Sequence, residues 1–172
     1  AAKYGEKLFG DQRIYGIVSD GDLMEGVAAE AASLAGHLGL GNIVYIYDDN
    51  HISIEGSTDL AFSESVSKRF EAYGWQVIEI DGHNHGEIAT AIEAGIAEIE
   101  KPTVIKARTH IGYGAPNKAD TAGVHGSPLG PDELKAAKEN LGWPVDKSFY
   151  VPDEVREFLR NRITELQSDY EA

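Results

Sequence analysis

The chain has 172 residues, enough for one domain with a real hydrophobic core. It contains no cysteine, which excludes disulfides, thiolate nucleophiles and sulfur-bound zinc. Fifteen basic against twenty-nine acidic residues leave a net charge of −14, which opposes binding to nucleic acid or to an anionic membrane. A phosphate-bearing ligand would need a metal ion or backbone N–H groups to offset that charge. No apolar run approaches the roughly 20 residues that cross a bilayer. The chain opens AAKYGEKLFG, without an initiator methionine and without a charged-then-apolar leader pattern. Ala1 to Tyr4 read as the end of a helix already under way. The expectation is a cytoplasmic piece of a longer protein.

Arg13 to Ser19 (RIYGIVS) form a short β-prone run, expected as a buried strand. Glu25 to Leu40 are rich in Ala and Leu and predict one helix, stopped by Gly39 and Gly41. Asn42 to Tyr47 (NIVYIY) predict a second buried strand. Asp48 to Asp59 are polar with glycine-type turns and predict a loop. A helix over Ser63 to Tyr73 and a strand over Trp75 to Ile80 follow, ended by Asp81-Gly82. Asn84 can cap the next helix, with Glu87 three residues on in a capping-box-like pairing. That helix runs to about Glu100, and Pro102 introduces a strand over Thr103 to Ala107. The alternation predicts an α/β fold, a parallel sheet flanked by helices on both faces in three α/β/α layers. Arg108 to Pro131 form a long segment rich in Gly, Pro, His and Asn, and a loop of that length is commonly functional. Pro131 starts a helix ending near Gly142. Asp153 to Gln167 predict a last amphipathic helix, with Pro144 and Pro152 bracketing the connector before it.

In open parallel sheets, ligands bind beyond the carboxyl ends of the strands. The first strand runs into Ser19-Asp20-Gly21-Asp22 and the second into Asp48-Asp49-Asn50. One helix separates them, so the strands are expected to be neighbours, with Asp20 and Asn50 facing one crevice. A carboxylate and an amide oxygen suit a hard cation such as magnesium, whose shell substrate phosphates often complete. Gly21 permits close approach of backbone to a ligand. The helix beginning near Glu25 would aim its N–H groups at the same place. Taken alone, Asp20-Gly21 is also an ordinary turn and Asp48-Asp49-Asn50 an ordinary solvated loop. Their joint placement makes a diphosphate-plus-magnesium site physically coherent.

The string SDGDLMEGVAAEAASLAGHLGLGNIVYIYDDNHISIEG resembles the thiamine diphosphate fingerprint, Gly-Asp-Gly with an Asn thirty residues later, and resembles transketolases in particular. FEAYGWQVIEIDGHN, THIGYGAPNKA and VHGSPLG agree, so the resemblance covers nearly all of residues 13 to 152 in order. It implies magnesium (or calcium in its place) held by the side chains of Asp20 and Asn50 and the carbonyl of Ile52, with Gly21 at the diphosphate. It implies that His125 contacts both diphosphate and substrate, that Ile54 and Ile111 pack on the cofactor rings, and that Glu25 helps link two cofactor sites near a dimer contact. It implies transfer of a two-carbon ketol unit from a ketose phosphate to an aldose phosphate, with the cofactor carrying the carbanion chemistry. Read from the residues alone, Glu25 is also a first-turn helix acid, His125 a loop histidine, and the two isoleucines ordinary core. Glu30 would need a partner if buried.

The other histidines carry less. His37 is expected to pack or cap. His83 and His85 flank Asn84 without a carboxylate cluster, so a turn and helix cap are expected rather than zinc. His51 and His110 neighbour the site by chain position only.

Two departures from the family pattern stand out. Ser19 replaces the first glycine, which is tolerable if that position has negative φ. The pyrimidine-binding and C-terminal domains of a transketolase, and its upstream site histidines, have no counterpart here. The resemblance therefore implies a partial N-terminal diphosphate-binding domain over 1–172, with 143–172 as its connector and terminal helix, catalytically silent alone. It implies a homodimer in the full protein, or a second subunit supplying the pyrimidine-binding domain. Two other readings stay open. One is another thiamine diphosphate enzyme, such as a deoxyxylulose-phosphate synthase, and the other is a non-catalytic cofactor-binding module.

Overall fold

The computed structural model describes residues 12–171, so the expected helix end at 1–4 lies outside the described residues. Strand β1 (Ile14–Ser19) runs straight into a short helix α1 (Asp20–Met24), followed by α2 (Gly26–His37) and β2 (Ile43–Asp49). A small hairpin of β3 (Ile52–Ser53) and β4 (Gly56–Ser57) precedes α3 (Val66–Ala72), β5 (Gln76–Asp81), α4 (His85–Ala97) and β6 (Thr103–Arg108). Helices α5 (Pro131–Asn140) and α6 (Asp153–Glu171) complete the described chain.

The four longer strands form one parallel sheet in the order β1-β2-β6-β5. Strand β2 sits inside it, and its residues alternate between two cores, as a strand covered on both faces requires. Tyr47 faces a cluster with Leu23, Ala35, Phe70, Trp75 and Val104 under α2 and α3. Val44 faces a second cluster with Ala91 and Ile105 under α4. Helices on both faces are therefore the observed architecture.

Three expectations need correction. The first strand is not buried: β1 is an edge strand, with Tyr15 55% and Ile17 78% exposed. Helix α4 packs on β2, β5 and β6 and leaves the β1 end of that face open. The single helix expected from Glu25 is two helices starting at Asp20. Glu25 breaks them with extended backbone (φ −72°, ψ 136°), closing α1 through its N–H to the Asp22 carbonyl and opening α2 by accepting from Ala28. The second strand continues through Asp48 and Asp49 into the expected loop, because both residues pair in register with β6.

Close packing fixes α2 on the sheet. Trp75 donates its indole N–H to the Ala32 carbonyl at 2.8 Å, in a core that also edges Trp75 against Phe70. Gly36 lies so near the turn after α3 that a Cβ there would stand 1.8 Å from the Tyr73 carbonyl oxygen. The Asn84 cap forms as expected, its side-chain oxygen accepting from the N–H groups of Gly86 and Glu87.

The long segment after β6 has one short 3-10 turn (Ala122–Val124) and is tied down by Glu133 at the start of α5. That carboxylate accepts from the Asn117 and Lys118 backbone N–H groups and from the Asn117 amide at 2.7–3.0 Å. These donors hold Glu133 below the usual carboxylate range.

Gly36→Ala is expected to destabilise the fold by about 2 kcal/mol. The clash is with backbone, which puts it near the top of the roughly 1–3 kcal/mol that overpacking costs, less the roughly 1 kcal/mol gained in helix propensity. Urea unfolding with an unchanged slope checks it. Because the Glu133 pKa is lowered, its hold on the loop is present at neutral pH and is lost as pH falls through that lowered value. Glu133→Gln is expected to speed amide exchange at Asn117 and Lys118 several-fold at neutral pH.

Candidate functional site

Parallel register brings the ends of β1 and β2 together. Ser19 pairs with Asp48, so Asp20 and Asn50 each leave the sheet at the same edge, and α1 lies against the β3 hairpin that follows Asn50. The expected neighbourhood of the two strand ends is thus observed. Asp20 is not in a loop. It occupies the first turn of α1 and is only 2% exposed.

Its two oxygens differ. The Tyr47 hydroxyl donates to Oδ1. Oδ2 is buried with no hydrogen-bond partner among the described residues. Burial pushes the Asp20 carboxyl above its ordinary range; the Tyr47 bond pulls the other way, and nearby Asp49 adds to the rise. Burial likewise pushes the Tyr47 phenol upward, with Asp20 as the next cause, so it remains protonated and a donor.

Asn50 is 8% exposed and fixed at both ends. Its Oδ1 accepts from the Ile52 N–H at 2.9 Å, and its Nδ2 donates to Asp48 Oδ2 at 3.3 Å. The Thr109 hydroxyl donates to the other Asp48 oxygen. Between Asn50 and Ile52, His51 takes a left-handed backbone (φ 63°), an uncommon conformation for a residue with a Cβ. That turn is what returns the Ile52 N–H to the Asn50 side chain. His51 Nε2 lies 3.2 Å from Asp49 Oδ1, and Lys106 Nζ lies 3.5 Å from Asp49 Oδ2. A cleft of about 220 Å³ opens over Asp20, Tyr47, Asp49, His51 and Lys106.

Ser19 is extended with φ −109°, so glycine is not required there. Its N–H and hydroxyl both donate to Asp22 Oδ2 at 2.8 Å, which holds Asp22 below its usual range. A Cβ at Gly21 would meet only the Ser19 hydroxyl, at 3.9 Å, so the absent side chain leaves bare surface beside Asp20.

The remaining expected residues are more scattered. Ile111 lines a separate apolar groove of about 390 Å³ on the α4 face, with Ile17, Ile46 and Ile92, whose polar end is Asp48 and Thr109. Ile54 is 69% exposed and lines neither cavity. Glu25, Glu30 and His125 are exposed, His125 closing the 3-10 turn. Exposure removes any need for a partner at Glu30. His37 ends α2 on the surface. His83 and His85 form no metal cluster among the described residues. His83 instead stacks on Tyr113 at 4.0 Å and accepts the His110 N–H through Nε2 at 3.0 Å. His110 faces Asp120 at 2.8 Å.

The sequence pattern did not single out Tyr47, Lys106 or Thr109. Tyr47 reads as strand core, and its ring is indeed core. The available signal was position: a Tyr one residue inside a strand that ends in Asp-Asp-Asn puts a hydroxyl at the sheet edge.

The family described as "Transketolase, thiamine diphosphate binding domain" matches residues 1–172. A transketolase of Geobacillus stearothermophilus is 54% identical over 159 residues, covering 92% of this chain and 24% of the relative. One of Nostoc is 55% identical over 164 residues, covering 94% and 24%. Among solved structures, a transketolase of Leishmania mexicana superposes with TM-score 0.90 at 36% identity, covering 99% of this chain and 26% of that one. A Pichia stipitis transketolase in complex with sedoheptulose-7-phosphate gives TM-score 0.87 at 42% identity, covering 92% and 24%. The chain spans about a quarter of the length of these relatives. With the family matched end to end and a four-stranded parallel sheet of the same fold, this chain belongs to the transketolase thiamine diphosphate-binding domain family.

Proposed function

We propose that this chain supplies the diphosphate- and cation-holding half of a transketolase site, for two-carbon ketol transfer from a ketose phosphate to an aldose phosphate in the cytoplasm. The observation that carries the reading is the unpartnered, fully buried Oδ2 of Asp20. A carboxylate oxygen out of water and without a donor is costly, and a cation removes that cost. Asp20 Oδ2, the second lone pair of Asn50 Oδ1 and the Ile52 carbonyl offer the hard oxygens that magnesium takes, and leave places for phosphate oxygens. The residues present therefore fit the group.

Bound thiamine diphosphate supplies the carbanion chemistry of the transfer. The chain's own part is to hold and to orient. Asp20, Asn50 and Ile52 hold the cation that neutralises the diphosphate within a −14 chain. Gly21 gives the diphosphate room where a Cβ would intrude. His125 is exposed on the long segment, so its ring is free to meet diphosphate and substrate and to act in proton transfer. Ile111, in an apolar groove whose lining also includes Asp48 and Thr109, suits a cofactor ring. Exposed Ile54 and Glu25 suit contacts that the described residues do not make: Ile54 with the other ring, Glu25 across a dimer contact to a second site. The remaining half of the pocket comes from a pyrimidine-binding domain, either of the full homodimeric protein or of a second subunit. On this reading residues 143–172 are the connector and terminal helix of the diphosphate-binding domain itself, and the chain alone is silent.

Calorimetric titration with thiamine diphosphate tests this. Binding is expected to require magnesium, and binding indifferent to magnesium overturns the cation assignment. Asp20→Asn keeps the side chain's shape beside Tyr47 but removes its charge. It is expected to weaken magnesium binding roughly a hundredfold, within the range over which ligand charge tunes such sites. Ketol transfer from a ketose phosphate to ribose 5-phosphate by the pure chain would overturn the claim that it is silent.

A further inference from the structure

We infer that β2 carries the devices that aim both side-chain ligands of the proposed cation site, Tyr47 positioning Asp20 and Asp48 positioning Asn50. The inference deepens the reading above and rests on it. Tyr47 is 2% exposed, and its ring is locked in the core with Leu23, Phe70 and Val104. Its hydroxyl donates to Asp20 Oδ1, with Asp49 as a second acceptor close by. A carboxylate held through one oxygen presents the other in a fixed direction, which suits a cation that demands octahedral geometry at about 2.0–2.1 Å. Without that bond both oxygens would be equivalent and the carboxylate free to rotate. Such outer partners of ligating groups matter about tenfold to a hundredfold in metal affinity.

The second ligand is fixed by the same strand. Asp48 takes the Asn50 Nδ2, which commits Oδ1 to the side of the Ile52 N–H. A flipped amide would set its NH2 against that N–H. Asp48 is itself held by the Thr109 hydroxyl at the end of β6. Neighbouring residues 47 and 48 point to opposite faces of the sheet, and through their hydrogen bonds the one strand end reaches both Asp20 and Asn50. Neither Tyr47 nor Asp48 needs to touch the cation.

The test uses the 172-residue chain with thiamine diphosphate present and Mn2+ as the probe. Free Mn2+ is counted by electron paramagnetic resonance, and the melting temperature is read with and without metal. Tyr47→Phe keeps the ring and removes the hydroxyl. It is expected to raise the Mn2+ dissociation constant about tenfold and to shrink the metal-induced rise in Tm. Thr109→Val, neutral and at the sheet edge, is expected to weaken Mn2+ several-fold, and it stands in should Tyr47→Phe fail to fold. A variant that lowers the metal-free Tm yet leaves Mn2+ affinity and the metal-induced shift unchanged is merely structural, and overturns the inference for that arm. Wild-type chain that binds no Mn2+ overturns the cofactor reading itself, and this inference with it. Wild-type binding with both variants unchanged overturns only the inference.

Discussion

The parallel register of β1 on β2 is the constraint on which the site depends. Six residue pairs, from Ile14 with Ile43 to Ser19 with Asp48, set the two strand ends level. With β2 fixed on β6, a slip of one residue in β1 would turn Val18 out of the core beneath α2, so the apolar pattern favours the register. The polar residues after each strand inherit that placement. Asp20 and Asn50 lie thirty positions apart in the chain, yet hydrophobic burial several residues upstream decides that they share one edge. Tyr47 joins the two levels, with a ring in the core and a hydroxyl at the site.

Electrostatics at that edge runs against the usual economy of buried charge. Asp20, Asp48 and Asp49 crowd one sheet end in a chain that is already strongly acidic. Asp49 has a local answer in Lys106 and His51, and Asp48 has one in Thr109 and Asn50. Asp20 has half of one. A single neutral donor on one oxygen does not offset the desolvation of the other, which is why burial dominates the upward shift of its pKa. At this sheet end Asp20 alone of the three keeps an oxygen without a donor among the described residues, and that oxygen is the one the proposed cation would take. The left-handed His51 is a second stored cost at the same place, and it brings Ile52 back to Asn50.

Much of this was legible in the residues. Apolar runs bounded by glycine and proline marked all four long strands, and Asn84 with Glu87 marked the start of α4, because these signals are local. The edge position of β1 was not legible: RIYGIVS is as apolar as NIVYIY, and only the sheet order distinguishes a covered strand from an uncovered one. The break at Glu25 was hidden for a related reason. An Ala-rich run predicts helix on both sides of Glu25, and what interrupts it is the turn that seats Asp20 in the first turn of α1, a tertiary demand. The pairing of Asp20 with Tyr47 crosses twenty-seven residues and two elements, and no periodicity announces it. Ser19 is the converse case. Its departure from glycine was visible at once, and its harmlessness to the backbone needed only the sign of one dihedral angle.

The scattered positions of the other expected residues follow from how they are carried. Asp20, Asn50 and Ile52 sit on or beside strand ends, where a packed sheet sets their place. His125 and Ile54 ride on segments joined to that sheet by fewer and more polar ties. The long segment bearing His125 is moored through Glu133, Arg108 and the His83–His110 contact, all at half-buried or exposed positions. Side chains there keep freedom that Asp20, Asn50 and Ile52, set by the packed sheet, lack. That division suits the proposed function, in which a small ion needs ligands held to fractions of an ångström and a substrate needs groups that approach and withdraw. Rigidity is concentrated where hydrophobic burial makes it available, at the ends of β1 and β2, and mobility is left to the polar segments beyond them.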